Sequence, residues 1–392
     1  MKKIEEILNF FDPVSIGDFS DNSFLEEKMS FGNNIFINGG LKPISDETKF
    51  EVAMIFVNQP STSSENEINT VQIIREEIYR LKKVAPTLRI ADLGNLRLGN
   101  TFNDTLFALQ ESCAMLFQLK INVVVIGGSQ ALTVGAFRAF KEFENDINLV
   151  HVDSKIDISF DERPFSESYL ETIIEREASH LYNICCMGYQ SYFVDQRQLT
   201  KLNELYFENL RIGKIRNQIE VVEPYFRDAD LVSFDIGSIR MCDAPGRFDA
   251  SPNGFYAEEA CQLARYAGIS DRLRLFGLFE VDSKFDKERQ TTKLSAQIIW
   301  YYLEGYLNRK HDYPQAPLDD CTKYVVEVDE IGFPIVFYKS NRSKRWWIEV
   351  NNPHDEEEKK VNVIVSCSEE DYLKACNNEI PDKWWLNLKK MR

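Results

Sequence analysis

Four stretches of the chain place polar, potentially reactive side chains directly after or within apolar runs. LVHVDSKIDIS, residues 149 to 159, closes on Asp153 and Asp157 with Lys155 midway between them. Gly127-Gly128-Ser129-Gln130 follows NVVVI, Asp235-Ile236-Gly237 follows DLVSF, and Glu280 lies in GLFEVD. An aspartate at the end of a buried strand is costly unless it is paired or bound to a cation, so three of them together imply a polar site. Such carboxylates can hold a divalent ion through oxygen ligands, or an ammonium can take its place. Lys155 is the ammonium that the spacing offers, and neighbouring carboxylates would stabilise its charged form, which disfavours a role as base or Schiff-base nucleophile. GGSQ at a strand-to-helix junction also offers backbone N–H groups to an anion, but it lacks the Lys-Ser/Thr ending of a P-loop.

These residues meet only if the elements that carry them lie side by side. EVAMIFVN (51 to 58), RIADLGNL (89 to 96), NVVVIGG (122 to 128), LVHVDSKID, NICCMGY (183 to 189), DLVSFDIG (230 to 237) and LRLFGLFEV (273 to 281) read as strands. Helical spacing of apolar residues predicts helices over 66 to 84, 103 to 120 behind an Asx cap, 131 to 143, 257 to 269 and 293 to 307. Near-continuous apolar strands alternating with amphipathic helices imply a parallel sheet covered on both faces. Its ligand crevice lies outside the carboxyl ends of the strands, where the four polar stretches stand. Residues 50 to 308 are expected to form this α/β domain, with segment 1 to 49 packing on it. From 309 to 392 the texture changes. TKYVVEVDE, GFPIVFYKS and KRWWIEVNN alternate in period two and predict a β-meander, SEEDYLKAC and PDKWWLNLKKM short helices, and DEEEKK a solvated loop. This appendage holds four of the five tryptophans, as expected of a piece that covers the main sheet or a subunit interface; a ligand lid or partner surface is the alternative.

The strand-end residues resemble the ureohydrolase superfamily of arginase, agmatinase and formimidoylglutamase, with formimidoylglutamase the nearest in texture. That resemblance implies a three-layer arginase-like α/β fold with a central parallel sheet, and a two-manganese centre. The family's Gly-Gly-Asp-His, Asp-x-His-x-Asp and Ser-x-Asp-x-Asp motifs are matched in order by Gly127 to Gln130, Asp153 to Asp157 and Ser233-Phe234-Asp235-Ile236-Gly237, with Ala244-Pro245-Gly246 closing the third. Glu280 falls where the family binds the amidine group of its substrate. Departures from the pattern bear on mechanism. Gln130 and Lys155 replace histidines, Gly237 replaces an aspartate, and Arg240 stands at the next acidic position. Asp153, Asp157 and Asp235, with the Gln130 carbonyl, remain as metal ligands, and Lys155 is expected to replace an ion. Three carboxylates and one ammonium sum to −2, which matches one divalent ion, Mn²⁺ or Mg²⁺, or none.

Two readings follow. In the first, the metal site is degraded, the chain is non-catalytic or altered, and it binds a ligand or serves as a scaffold. In the second, it hydrolyses a C–N bond of a linear amidine such as formimidoylglutamate, agmatine or arginine with at most one ion, and Asp157 is the candidate catalytic residue. In either case Glu280 is expected to bind a small cationic amidine or guanidinium ligand. His151 lies inside its strand, on the side of Asp153 but deeper, and reads as a core residue; His180, His311 and His354 lie in or near connections.

The net charge of −16 argues against nucleic acid or an anionic membrane as partner. MKKIEEILNFFDPVS has no apolar run of signal or anchor length, which predicts a cytoplasmic protein. Eight cysteines, without paired CxxC spacing, read mostly as buried thiols. A homo-oligomer is what the resemblance implies.

Overall fold

The computed structural model describes residues 4–19, 23–40, 42–59, 69–143, 146–314, 320–351 and 363–391. His354 and the DEEEKK stretch lie outside them, as do residues 66 to 68 of the first expected helix. Ten strands form the main sheet: β1 (Phe11–Asp12), β2 (Phe36–Ile37), β3 (Val52–Phe56), β4 (Ile90–Leu96), β5 (Asn122–Ile126), β6 (Ile147–Val152), β7 (Leu181–Tyr189), β8 (Glu208–Arg211), β9 (Leu231–Asp235) and β10 (Leu275–Phe279). Their order is β1-β4-β3-β5-β10-β9-β6-β7-β8, with β2 also on β4. Only β1 runs antiparallel to its neighbour.

Every residue of β3, β9 and β10 is buried, as a strand covered on both faces requires. Alternation by two sends Met54, Phe56, Val124 and Ile126 to one face, against helices Thr70–Arg80, Ala257–Gly268 and Gln290–Leu307. Ala53, Ile55, Val123 and Val125 go to the other face, against helices Phe102–Gln118, Thr133–Arg138 and Tyr169–Arg176. Helix, sheet and helix thus form the three layers expected from the sequence. One expected detail differs. Helix Phe102–Gln118 is capped by Thr101, whose hydroxyl accepts from the Asp104 N–H at 3.2 Å while the Asp104 carboxylate accepts from the Thr101 N–H at 2.9 Å. Five of the eight cysteines are buried. No helix of the described residues is long and apolar enough to cross a membrane.

The C-terminal meander has four antiparallel strands, β11 (Cys321–Val328), β12 (Phe333–Ser340), β13 (Trp346–Val350) and β14 (Val363–Cys367), backed by helices Glu369–Cys376 and Asp382–Lys390. Its tryptophans do not form a contact surface. Trp346 and Trp384 belong to the core of the meander itself, Trp347 is buried, and of the four only Trp385 is exposed. The meander is fastened to the α/β domain by Arg227 of helix Glu223–Asp228, which is almost fully buried. Its guanidinium donates to the Trp346 carbonyl at 2.7 Å and the Cys367 carbonyl at 3.1 Å, pairs with Glu223, and lies 4.6 Å from the Trp347 ring centroid. Removing one partner of a buried charged network strands the others, so Arg227→Ala should destabilise the protein by about 3 kcal/mol. The loss should be read by hydrogen exchange as lowered protection in β13 and β14, with β3 and β5 unaffected.

Candidate functional site at the strand ends

Adjacency of β5, β10, β9 and β6 is what assembles the site. Register aligns Ile126 with Leu278, Phe279 with Asp235 and Phe234 with Val152, so the residues that follow these strands emerge at one edge. There Gln130, Asp153, Lys155, Asp157, Asp235 and Glu280 line a cavity of about 160 Å³. Gly127 and Gly128 turn the chain at φ 92° and 74°, a region open to glycine at no steric cost. Glu280 has φ 67°, a strained value for a side-chain-bearing residue, held by its N–H on the Gly128 carbonyl at 3.0 Å and by its carboxylate on the Gln130 N–H at 2.7 Å.

The cation bonded to the strand-end Asp235 is Arg247, which sequence reasoning did not single out. Its guanidinium pairs with Asp235 and, through Nε, with Asp249 at 2.5 Å. Gly237 provides the space. A Cβ on Gly237 would stand 2.8 Å from Arg247 Cζ and 3.0 Å from its Cδ, so any side chain there displaces the whole arm. Gly237 was the available signal, since a glycine in place of an acid leaves both space and a missing charge. Lys155, expected to replace an ion, directs its ammonium to Asp249 at 2.5 Å, and about a third of its side chain is exposed. Physically, Asp249 is the nearer and less crowded carboxylate, while the deeper position is already taken by a guanidinium. Burial opposes the charge of Arg247, but Asp235, Glu280 and Asp153 more than offset this and hold it protonated. Asp249, despite burial, is drawn down to about 2 by Arg247 and Lys155. Arg240 pairs with Asp243 at 2.7 Å.

Beneath the carboxylates runs a fully buried polar chain. Thr133 Oγ1 lies 2.7 Å from Ser233 Oγ, Gln130 Nε2 lies 3.1 Å from Ser233 Oγ and 3.2 Å from His151 Nδ1, and Tyr169 Oη lies 2.8 Å from the same Nδ1. His151 Nε2 has no hydrogen-bond partner and lies 3.9 Å from Asp153 Oδ2. Burial pushes its pKa down to about 4, so the ring is neutral. Burial and the neighbouring Asp235 raise Asp153 to about 8, and burial and the charge of Asp153 raise Asp157 as well. Burial also raises Glu280.

The donor set does not fit a pair of divalent ions. Asp235 is engaged by Arg247, Gly237 has no donor and no room for one, and Lys155 brings positive charge. Three donors remain together: His151, Asp153 and Asp157 offer ligand atoms within 4.8 Å of one another.

Two outcomes follow from this geometry. Gly237→Ala should destabilise the protein by about 1–3 kcal/mol through overpacking, and Arg247→Ala should remove most of that penalty, a coupling measurable by denaturant unfolding of the four proteins of a double-mutant cycle. The second outcome concerns pH. Between the ordinary 3.8 and about 8, folded Asp153 keeps a proton that the unfolded chain releases. Stability of the ion-free protein should therefore fall as pH rises through that window, and Asp153→Asn should flatten the slope in thermal unfolding.

Comparison with known proteins agrees with the fold. Residues 67–304 match the family model described as Arginase family. A formimidoylglutamase of Staphylococcus haemolyticus is 21% identical over 239 residues, 59% of this chain and 77% of that protein. Among solved structures, formimidoylglutamase from Bacillus subtilis superposes with a TM-score of 0.63 at 14% identity, over 76% of this chain and 97% of that one. Trypanosoma cruzi formiminoglutamase with Mn²⁺ superposes with a TM-score of 0.60 at 17% identity, over 66% of this chain and 94% of the other. A sheet in this order, a site at these strand ends and a family match over more than half of the sequence make one conclusion: the chain belongs to the arginase family.

Proposed function

We propose that this arginase-family protein has an altered strand-end centre, in which the guanidinium of Arg247 stands in for an ion, and that it binds a small cationic ligand without two-ion hydrolysis. The observation that supports this most is Arg247 on Asp235 in the space beside Gly237. A pair of ions would need Asp235, and it is a metal that brings the pKa of bound water toward neutrality. The pocket is acidic. Asp153, Asp157, Asp235, Asp249, Asp282, Glu167 and Glu280 line it against Lys155 and Arg247, which favours a cation as ligand. Similarity to formimidoylglutamases supports a linear amidine or guanidinium compound as its class. A second reading, hydrolysis at a single ion, is favoured by the donors left at His151, Asp153 and Asp157.

The test offers agmatine, arginine and formimidoylglutamate to Mn²⁺-treated protein. Calorimetry follows binding, and assays for urea, formamide and ammonia follow turnover. The expected result is saturable binding of at least one of them, weakened by Glu280→Gln, with no product. Turnover on the order of 1 s⁻¹ or faster would overturn the reading.

A further inference from the structure

The family pattern puts histidines at positions that here are Gln130 and Lys155, yet an imidazole still reaches this site from below. His151 is the penultimate residue of β6, fully buried, with its ring in the sheet layer beneath Asp153. Its Nδ1 is held by Tyr169 Oη at 2.8 Å, and its Nε2 is buried without a hydrogen-bond partner 3.9 Å from Asp153 Oδ2. A buried nitrogen left unpartnered beside a carboxylate is expensive unless something joins them. Asp157 completes a group of three whose ligand atoms lie within 4.8 Å of one another.

We infer that His151, Asp153 and Asp157 form a mononuclear site for a divalent first-row transition ion, with His151 Nε2 as the nitrogen ligand. The inference deepens the proposed function and rests on it, because Arg247 must keep Asp235 out of the ligand set. Charge supports a single ion. With their protons released on binding, Asp153, Asp157 and Glu280 would join Asp235 in carrying four negative charges against one on Arg247, while Lys155 and Asp249 offset each other; the resulting −3 becomes −1 with one divalent ion. The surroundings of the imidazole suit the role. A ligating histidine donates its other N–H to a neighbouring acceptor, and Tyr169 Oη is placed to accept it. Turning the Gln130 amide over would bring its Oε1, which has no partner, to the same N–H. One nitrogen and two carboxylates form a mixed donor set suited to Mn²⁺, Fe²⁺ or Zn²⁺ rather than to Ca²⁺.

The test uses the full chain without a histidine tag, stripped with chelator and loaded with Mn²⁺ alone. Ions per chain are counted by elemental analysis after dialysis, and pulsed electron paramagnetic resonance reads any directly bonded ¹⁴N. The expected result is one ion per chain with a ¹⁴N coupling that survives in His180→Ala and His311→Ala. His151→Gln should abolish the coupling and weaken Mn²⁺ binding at least tenfold, with the fold checked by circular dichroism. If that buried variant does not fold, the coupling in the unmodified protein and in the two control variants decides alone. One ion without nitrogen coupling, or no retained ion, overturns the inference and leaves the Arg247 reading standing. Two ions per chain overturn both.

Discussion

Arg247 on Asp235 is the contact around which the strand-end site is organised. The guanidinium is partly buried and its charge is met by carboxylates, Asp235 and Asp249 pairing with it directly. Its position is fixed from both sides. Gly246, the preceding residue, donates its N–H to Thr291 Oγ1 at 2.6 Å and accepts from the Asp282 N–H at 2.8 Å, which ties the segment to the start of helix Gln290–Leu307 and to the loop after β10. Asp249 then joins Arg247 to Lys155, so the loop returning from β9 is tied back to the loop that follows β6. Gly237 makes this closure possible by contributing no side chain.

The consequence is a site with a surplus of negative charge and an uneven distribution of cations. One side, at Asp235, is neutralised within the chain. The other side, at Asp153 and Asp157, has a neutral imidazole below it and raised carboxyl pKa values, the response of buried acids that lack a counter-ion. Both halves follow from where the one guanidinium sits, on Asp235 beside Gly237.

Much of this was legible in the sequence, for physical reasons. Strands covered on both faces must be apolar throughout, so β3, β5, β9 and β10 could be read directly, and strand order places their ends together. Short edge strands such as β1, β2 and β8 bury little and left no comparable pattern. The site was legible as far as its carboxylates and Glu280. Arg247 was not, because its partner Asp235 is 12 residues away across an irregular loop, and sequence shows the missing side chain at Gly237 without showing which group fills the space. Lys155 was misplaced for the same reason: spacing put it between two aspartates, while its nearest carboxylate, Asp249, comes from a distant loop. His151 was placed correctly in depth, but alternation along a strand cannot reveal that one ring nitrogen lacks a partner. Clustering of tryptophans in the tail has two origins, Trp346 and Trp384 in the core of the meander itself and Trp347 buried against Arg227 of the α/β domain, which composition alone does not separate.

In the proposed reading a guanidinium, and not a metal ion, occupies the Asp235 side of the site. Anomalous diffraction at the manganese edge from crystals soaked in Mn²⁺ tests it most directly. At most one anomalous peak is expected, beside His151, Asp153 and Asp157, with the Arg247 guanidinium still bonded to Asp235. Two peaks bridged by Asp235, with Arg247 displaced, would contradict it.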